Sequence, residues 1–329
     1  MLITSVERGL VEVRRGNQWI VFDELRAVEV CSFAALAWQE KHKHLANCDQ
    51  PELVYLPKGF PHASRLHALY LFAYGPLNRY GKTTNQALDE GTDIFLQNPW
   101  IIDPVLSFCD DDFERLSLDM FSFTSLKTVK GKKELEGKIV GWKNNLRLLQ
   151  VKYDSDPRNI FYNVEKSRQS IIDALSIFYG YGQKVAQLVA LYFQKVKWEE
   201  EKEQWDQIKK ICVMPVDLWL AREMRNFSIV VSWSTDKKNA ASYLVSDFLV
   251  YICEKYHLPW DDVAQAFWHT GANVCIRVPQ NAQKASAHCL TLCPFHDFCD
   301  HRAGGSHQSN NGGFGWDSPK KRPKNLFNL

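Results

Sequence analysis

The hydrophobic and polar positions change period along the chain. Near the start, Leu10-Val-Glu-Val13 and Trp19-Ile-Val-Phe22 flank Gly16-Asn17, a pattern that predicts a short β-hairpin. A helical pattern follows through Ala27 to Gln39. From about His62 the apolar spacing is consistently helical, with Leu66, Leu69, Tyr70 and Ala73, then Ala87, Ile94 and Phe95. Pro99 to Pro104 breaks the run. Further helices are predicted over Phe113 to Leu126, Leu135 to Val151, Val164 to Tyr179 and Lys184 to Lys195. Beyond Pro215 the pattern gives a helix from about Asp217 and others around Tyr243 to Tyr256 and Trp260 to Thr270. The expected fold class is mainly α, with a helical bundle in the middle of the chain and no internal repeat.

Two segments depart from this patterning. Lys195 to Lys210 contains Trp-Glu-Glu-Glu-Lys-Glu and reads as a solvated helix or a charged insertion. From Ala303 the chain is rich in Gly, Ser, Asn and Gln and then runs Pro319-Lys-Lys-Arg-Pro-Lys324, which is expected to be a disordered basic tail. At 329 residues with 45% hydrophobic content, the chain has room for one large domain or two ordinary ones. Forty Lys and Arg against 38 Asp and Glu give a net charge of +2, which excludes a wholly basic coat but leaves room for a local basic face. Lys127 to Lys152 is one candidate, with eight Lys/Arg against two acids; a solvated helix face is the competing reading. No apolar run is long enough to span a bilayer, and Met1-Leu-Ile-Thr-Ser-Val-Glu7 lacks the regions of a signal peptide. A cytoplasmic protein without membrane contact is expected.

Nine cysteines in a reducing compartment point to packing, metal binding or catalysis rather than disulfides. Cys31, Cys48, Cys109, Cys212 and Cys253 stand singly in apolar surroundings and read as small core residues. Cys275, Cys289, Cys293 and Cys299 form a cluster, Cys-x13-Cys-x3-Cys-x5-Cys, with Pro294-Phe295 after the third. Four thiolates in a compact loop suit tetrahedral zinc or an iron-sulfur cluster. Zinc knuckles usually come as two close pairs. Three close cysteines with one alone upstream favour a 4Fe-4S cluster over zinc. His288 and His296 are read as spectators.

The other chemically suggestive stretch is Ile177-Phe-Tyr-Gly180-Tyr-Gly182-Gln-Lys184, which joins two helical patterns through a Gly-x-Gly turn. Glycines there permit a tight turn and close backbone approach, and the next helix begins with unpaired N–H groups suited to a phosphate. A plain helix C-cap explains such a turn as well. Further on, Val216-Asp217 opens a helix carrying Trp219 and Arg222, and Trp268-x-x-Gly271-x-x-x-Cys275 leads into the cysteine loop.

Taken in order, these pieces resemble the helix-hairpin-helix DNA glycosylases of the endonuclease III superfamily, including their iron-sulfur loop. The likeness covers about residues 155 to 300 and more weakly extends back to about 62. Departures point to a distant branch: Phe178-Tyr179 stands where the family has Leu-Pro, and Trp219 where it has His. The Lys184-to-Asp217 interval is also longer, and the cysteine spacing differs.

The resemblance implies a helical barrel over 62–195 that ends in the hairpin, a charged insertion at 196–210 and a cluster domain over 211–302. Residues 1–61 would pack with that last domain, and 303–329 would form the tail. It implies Lys184 as the nucleophile on C1′ of a flipped-out deoxynucleoside and Asp217 as the carboxylate assisting base departure, the two meeting in a groove. Gly180 and Gly182 would meet the DNA backbone, and Asn78 or Arg79 in Gly75-Pro-Leu-Asn78-Arg79-Tyr80-Gly81 would enter the duplex. The implied activity is a bifunctional DNA glycosylase and AP lyase acting on double-stranded DNA as a monomer, nucleoid-associated in a prokaryote. A catalytically silent DNA-binding protein on this fold, and a glycosylase for RNA or a free nucleoside, stand as alternatives. The terminal Asn325-Leu-Phe-Asn-Leu329 is a candidate docking segment for a partner such as a sliding clamp.

Overall fold

The alternating stretch near the start forms strands, as its period of two requires. The computed structural model describes residues 1–48, 56, 60–77, 92, 96, 102–105, 129–198, 203–216, 218–234, 238–275 and 282–299. Strands β2 (Leu10–Arg15) and β3 (Gln18–Asp23) pair antiparallel with Val11 opposite Phe22 and Val13 opposite Ile20. Gly16, with φ +58°, occupies the turn between them, a backbone region that favours glycine. Two strands absent from the sequence reading complete the sheet. They are β1 (Leu2–Glu7) and β4 (Val230–Ser234), in the order β1-β2-β3-β4 and all antiparallel. The hairpin therefore gains its third neighbour from a segment some two hundred residues away, with Ile20 opposite Trp233.

The chain divides into two compact units, Met1–Cys48 with Met214–Leu329, and Asp49–Val213. The protein is mainly helical. In the first unit the sheet is joined by α1 (Glu24–Gln39), and in the second by no described strand. The second unit contains α2 (Arg65–Leu77), α3 (Val129–Tyr153), α4 (Arg158–Tyr162), α5 (Arg168–Ser176), α6 (Gln183–Lys195) and α7 (Glu203–Lys209). The first unit continues with α8 (Leu218–Asn226), α9 (Lys238–Lys255), α10 (Trp260–Asn273) and α11 (Ala282–Leu292). Among the described residues, no helix is long and apolar enough to cross a membrane. The helix expected over Phe113 to Leu126, the tail from Ala303, and Cys109 lie outside the described residues.

The sheet buries Val11, Val13, Ile20 and Phe22, and Phe22 stacks on Phe248 of α9 with ring centroids 3.9 Å apart. Arg15 reinforces the same junction by donating from Nε and Nη2 to the carboxylate of buried Asp247 at 2.6 and 2.9 Å. Cys31 and Cys253 are fully packed core residues, and burial pushes the Cys31 thiol up to about 12. In the second unit the core is aromatic. Phe161 packs on Phe193 and Trp205, and Trp198 meets both Phe193 and Trp205.

The described part of Lys195 to Lys210 includes a helix, α7, with Glu203, Gln204, Asp206 and Gln207 exposed and its other face packed. Trp198, Trp205 and Ile208 are buried, and Gln194 Nε2 donates to the carbonyl of Ile208 at 2.6 Å and of Ile211 at 3.1 Å. The acids and lysines dominate the composition, but Trp205 and Ile208 fall on one face of α7 at helical spacing and anchor it.

Glu24 gives the first unit a pH-sensitive tie. It lies in the first turn of α1, and Oε1 accepts from Lys255 Nζ, from Tyr251 at 3.0 Å and from Tyr256 at 3.1 Å. Burial raises the carboxyl pKa, but the hydrogen bonds from Lys255, Tyr251 and Tyr256 outweigh it, and the net shift is downward. A depressed folded pKa gives stability that is present above the unfolded carboxyl value of about 4.3 and is lost as pH falls through the folded value. Glu24→Gln is therefore expected to cost on the order of 1 kcal/mol at neutral pH, the exposed lysine partner limiting the effect. Urea unfolding across pH should show a flatter acid limb in the variant.

Candidate functional site

The hairpin between α5 and α6 is held from beneath by α3 and α2. Leu175 accepts from the Phe178 amide at 3.1 Å and Phe178 from the Tyr181 amide at 3.2 Å, so two consecutive turns close the hairpin. Asn145, buried on α3, holds Tyr179 at both ends. Its Oδ1 accepts from the Tyr179 amide at 2.6 Å and its Nδ2 donates to the Tyr179 carbonyl at 2.8 Å. The Tyr179 ring lies over Gly141, where a Cβ would stand 2.3 Å from the ring. That close approach explains a glycine in mid-helix. Tyr181 is buried, and its hydroxyl donates to the carbonyl of Phe72 on α2. Phe178 packs edge-on against Phe72 at 4.9 Å.

The two glycines of the turn differ. Gly180 has φ +96° and is required by the backbone path. Gly182 caps α6 at φ −77° and ψ 167°, an extended conformation open to any residue, and a Cβ there would meet nothing within 4 Å. Neither backbone angle nor packing asks for glycine at 182. The bare, exposed backbone at the start of a thirteen-residue helix is thus open to close approach from outside. Lys184 stands exposed on the first turn of that helix. Asp217, Asn78 and Arg79 lie outside the described residues.

In the first unit the four clustered cysteines come from four local elements. Cys275 follows α10, Cys289 sits in the last turns of α11, Cys293 follows that helix, and Cys299 follows the 3-10 turn His296–Phe298. Cys289, Cys293 and Cys299 are buried and Cys275 is half-buried. The Cys275 thiol is pushed well above its ordinary value by burial first, then by the charges of Glu223, Cys293, Cys299 and Cys289. Burial also raises Cys293, where the backbone of Phe295 opposes and the charges of Glu223, Cys299 and Cys289 add. The other three thiols are thus felt at Cys275, and Cys289 and Cys299 at Cys293.

The chain matches no family model, no curated protein and no solved structure.

Chemically, the donor set suits an iron-sulfur cluster: four soft thiols, three of them buried, on one short stretch of the first unit. Among the described residues, no three or more His, Cys, Asp or Glu side chains gather tightly enough to hold a single metal ion. His288 bonds through Nε2 with the Val274 carbonyl at 3.2 Å, and His296 through Nδ1 with Asp297 at 2.8 Å.

Sequence reasoning missed the groups that shape this loop. Lys43 Nζ donates to the carbonyls of Leu290 at 3.0 Å and Cys293 at 2.9 Å, satisfying the C-terminus of α11 with a cation. His44 Nδ1 meets the Leu292 carbonyl at 3.1 Å, and Arg26 Nη2 donates to the Phe298 carbonyl at 3.1 Å. Phe295, fully buried, packs against Phe33, Phe227 and Phe267 with centroids 5.7, 5.2 and 5.1 Å away. Only the apolar Phe295 between two cysteines gave any local signal of this anchoring.

Proposed function

We propose that the protein is a DNA repair glycosylase with AP lyase activity, excising a damaged or modified base through a lysine Schiff base. The observation that carries this reading is Gly182: a glycine the fold does not require, at the open start of α6, two residues before an exposed lysine. A phosphate of double-stranded DNA approaches the N–H groups at that helix start, and a side chain at 182 would stand in its way. Lys184 then faces a sugar held next to that phosphate.

In this reading Lys184 attacks C1′ of the flipped-out nucleoside and the base leaves. Asp217, ionised, stabilises the positive charge that develops on the sugar, as carboxylates do at oxocarbenium centres. Cleavage of the C1′–O4′ bond then opens the sugar to give the Schiff base, and β-elimination, with loss of a C2′ proton and departure of the 3′-phosphate, breaks the strand on the 3′ side. The lysine must be neutral to attack. Its surface is exposed in the protein alone, so the drying of the amine falls to the bound DNA. Cys275, Cys289, Cys293 and Cys299 hold a 4Fe-4S cluster, which orders the loop as a structural element.

The test is borohydride trapping of the whole protein on duplex DNA carrying an abasic site or one of a panel of altered bases. A covalent protein–DNA adduct on at least one substrate is the expected result. No adduct on any of them, from folded protein that still binds DNA, sinks the lyase and leaves a binding protein. Gly182→Ala separates binding from folding. It is expected to leave the unfolding midpoint unchanged or slightly raised, because the site is open and the backbone ordinary. DNA affinity should fall about tenfold through loss of a charge-assisted hydrogen bond. Equal affinity in a titration would remove the phosphate from Gly182.

A further inference from the structure

Positive charge is concentrated on one helix. In α3, seven Lys/Arg stand against two Glu, five net positive charges on 25 residues, while the whole chain carries +2. The inner side of the helix is apolar, with Trp142, Leu146, Leu149 and Tyr153 buried. Helical spacing puts Lys132, Lys133, Lys143 and Arg147 on the opposite side, with Glu136 the one acid among them.

This arrangement works against the helix itself. Lys130 and Lys132 lie in the first turn, where the helix dipole repels cations, and no acid stands there to offset them. Lys143 and Arg147 are like charges at i, i+4 spacing, which is destabilising. Arg147 is exposed and has no ion pair or hydrogen bond among the described residues. A helix face that serves only to be solvated interleaves acids with lysines and gains from such spacings. Charges that oppose the local rules mark a surface whose counter-charges arrive with a ligand. The same helix carries the hairpin: Asn145 holds both ends of Tyr179, whose ring lies on Gly141. A long ligand held at Gly182 and Lys184 therefore has α3 as its neighbour within the second unit.

We propose that the outward side of α3 is a second contact surface for the DNA duplex, a row of cations that meets backbone phosphates beyond those at the hairpin. This rests on the DNA reading above. Residues 132 to 147 rise about 22 Å along the helix axis, within the length of one duplex turn. A single strand would call for exposed aromatic rings on which its bases stack. The two aromatic residues of α3, Trp142 and Tyr153, are both buried. Lysine and arginine on phosphate carry no base information, so this surface adds affinity and orientation without choosing the lesion.

The experiment titrates the full chain with a plain duplex of about 20 base pairs, two helical turns, over a series of salt concentrations. The duplex carries no lesion, so the result does not depend on the Schiff-base chemistry. The variants are Arg147→Gln, the pair Lys143→Gln with Arg147→Gln, and Lys132→Glu. Lys197→Gln, at an exposed lysine outside α3, is the control. The slope of log affinity against log salt is expected to shrink by about 0.9 in Arg147→Gln and by about twice that in the pair, one step for each phosphate contact removed. Lys132→Glu is expected to lose affinity while its unfolding midpoint holds or rises, because an acid replaces a cation in the first turn. Unchanged slopes in Arg147→Gln and in the pair overturn the proposal. An equal loss in Lys197→Gln also overturns it, since that marks overall charge, as does tighter binding to single-stranded RNA than to the duplex. Where the pair does not fold, Arg147→Gln decides alone, its side chain being exposed and unpaired among the described residues. An unaltered protein that binds no duplex at any salt fails the DNA reading itself. Unchanged slopes in the α3 variants, with affinity still lost in Gly182→Ala, fail this surface only.

Discussion

Lys184→Arg is expected to remove the borohydride-trapped adduct altogether while DNA binding persists. Arginine keeps the positive charge at the start of α6, so phosphate attraction changes little, but its guanidinium stays protonated and has no free amine pair to attack C1′. Strand cleavage should drop on the order of 10³-fold or more, as when a covalent nucleophile is deleted elsewhere. Lys184 is exposed on a helix surface, so the substitution should shift folding stability by no more than about 0.5 kcal/mol. Those three readouts make the result hard to mimic. Misfolding would lower all of them, and a lost phosphate contact would weaken binding. An adduct that survives in Lys184→Arg assigns the Schiff base to another amine and leaves Lys184 as a backbone contact. Lys166 is the natural comparison, since burial lowers its pKa; but its Nζ donates to the carbonyls of Phe161 at 3.1 Å and Tyr162 at 3.4 Å, where it closes the end of α4. Lys166→Arg is expected to retain the adduct.

The unequal status of the two turn glycines shows how far sequence can be read. Gly-x-Gly between two amphipathic patterns announces a turn, and the turn is there. It does not tell which glycine the backbone needs, because φ at 180 and the empty space at 182 are set by docking on Asn145, Gly141 and Phe72 from distant helices. Gly141 is the more legible residue: a glycine inside a strong helical pattern usually marks a close approach. Local periodicity gave β2, β3 and most helices, since each is specified by its own residues. It missed β4, a five-residue strand whose partner is β3. It also missed α7's anchorage, because Trp205 and Ile208 are outnumbered by the charges around them.

Charge was least legible of all. Glu223, Glu24 and Asp247 look like ordinary surface acids of helices, yet all three are buried and each meets a partner from another element. A helix face in sequence is inferred from its apolar residues, so a single acid inside that face is assigned to solvent by default. The cysteine spacing, by contrast, singled out four residues that lie in one unit, three of them buried. What it lacked was the scaffolding from the N-terminal segment, Arg26, Lys43 and His44, which no spacing rule connects to residues 250 positions later.

Replacing Cys289 and Cys293 together by alanine is expected to cost the protein its iron and to destabilise the first unit far more than any packing cysteine does. The comparison is with Cys31→Ala, a fully buried thiol distant in sequence from the cluster, for which only a cavity cost of about 1 kcal/mol is expected and no loss of iron. The difference arises from linkage. A group that binds the folded loop and not the unfolded chain adds about 4 kcal/mol when present at a thousandfold over its dissociation constant. Without it, the clustered thiols, three of them buried, and the polar backbone of the loop must be sustained by packing alone. Phe295 joins the loop to Phe33, Phe227 and Phe267, so loosening of residues 293–299 should spread to the start of the chain through Lys43 and Arg26. Hydrogen exchange should show this as lost protection in α11 and α1 together, with the hairpin before α6 unchanged. Full iron content in the double variant, or protection lost equally in both units, would mean that these cysteines pack the loop rather than ligate within it.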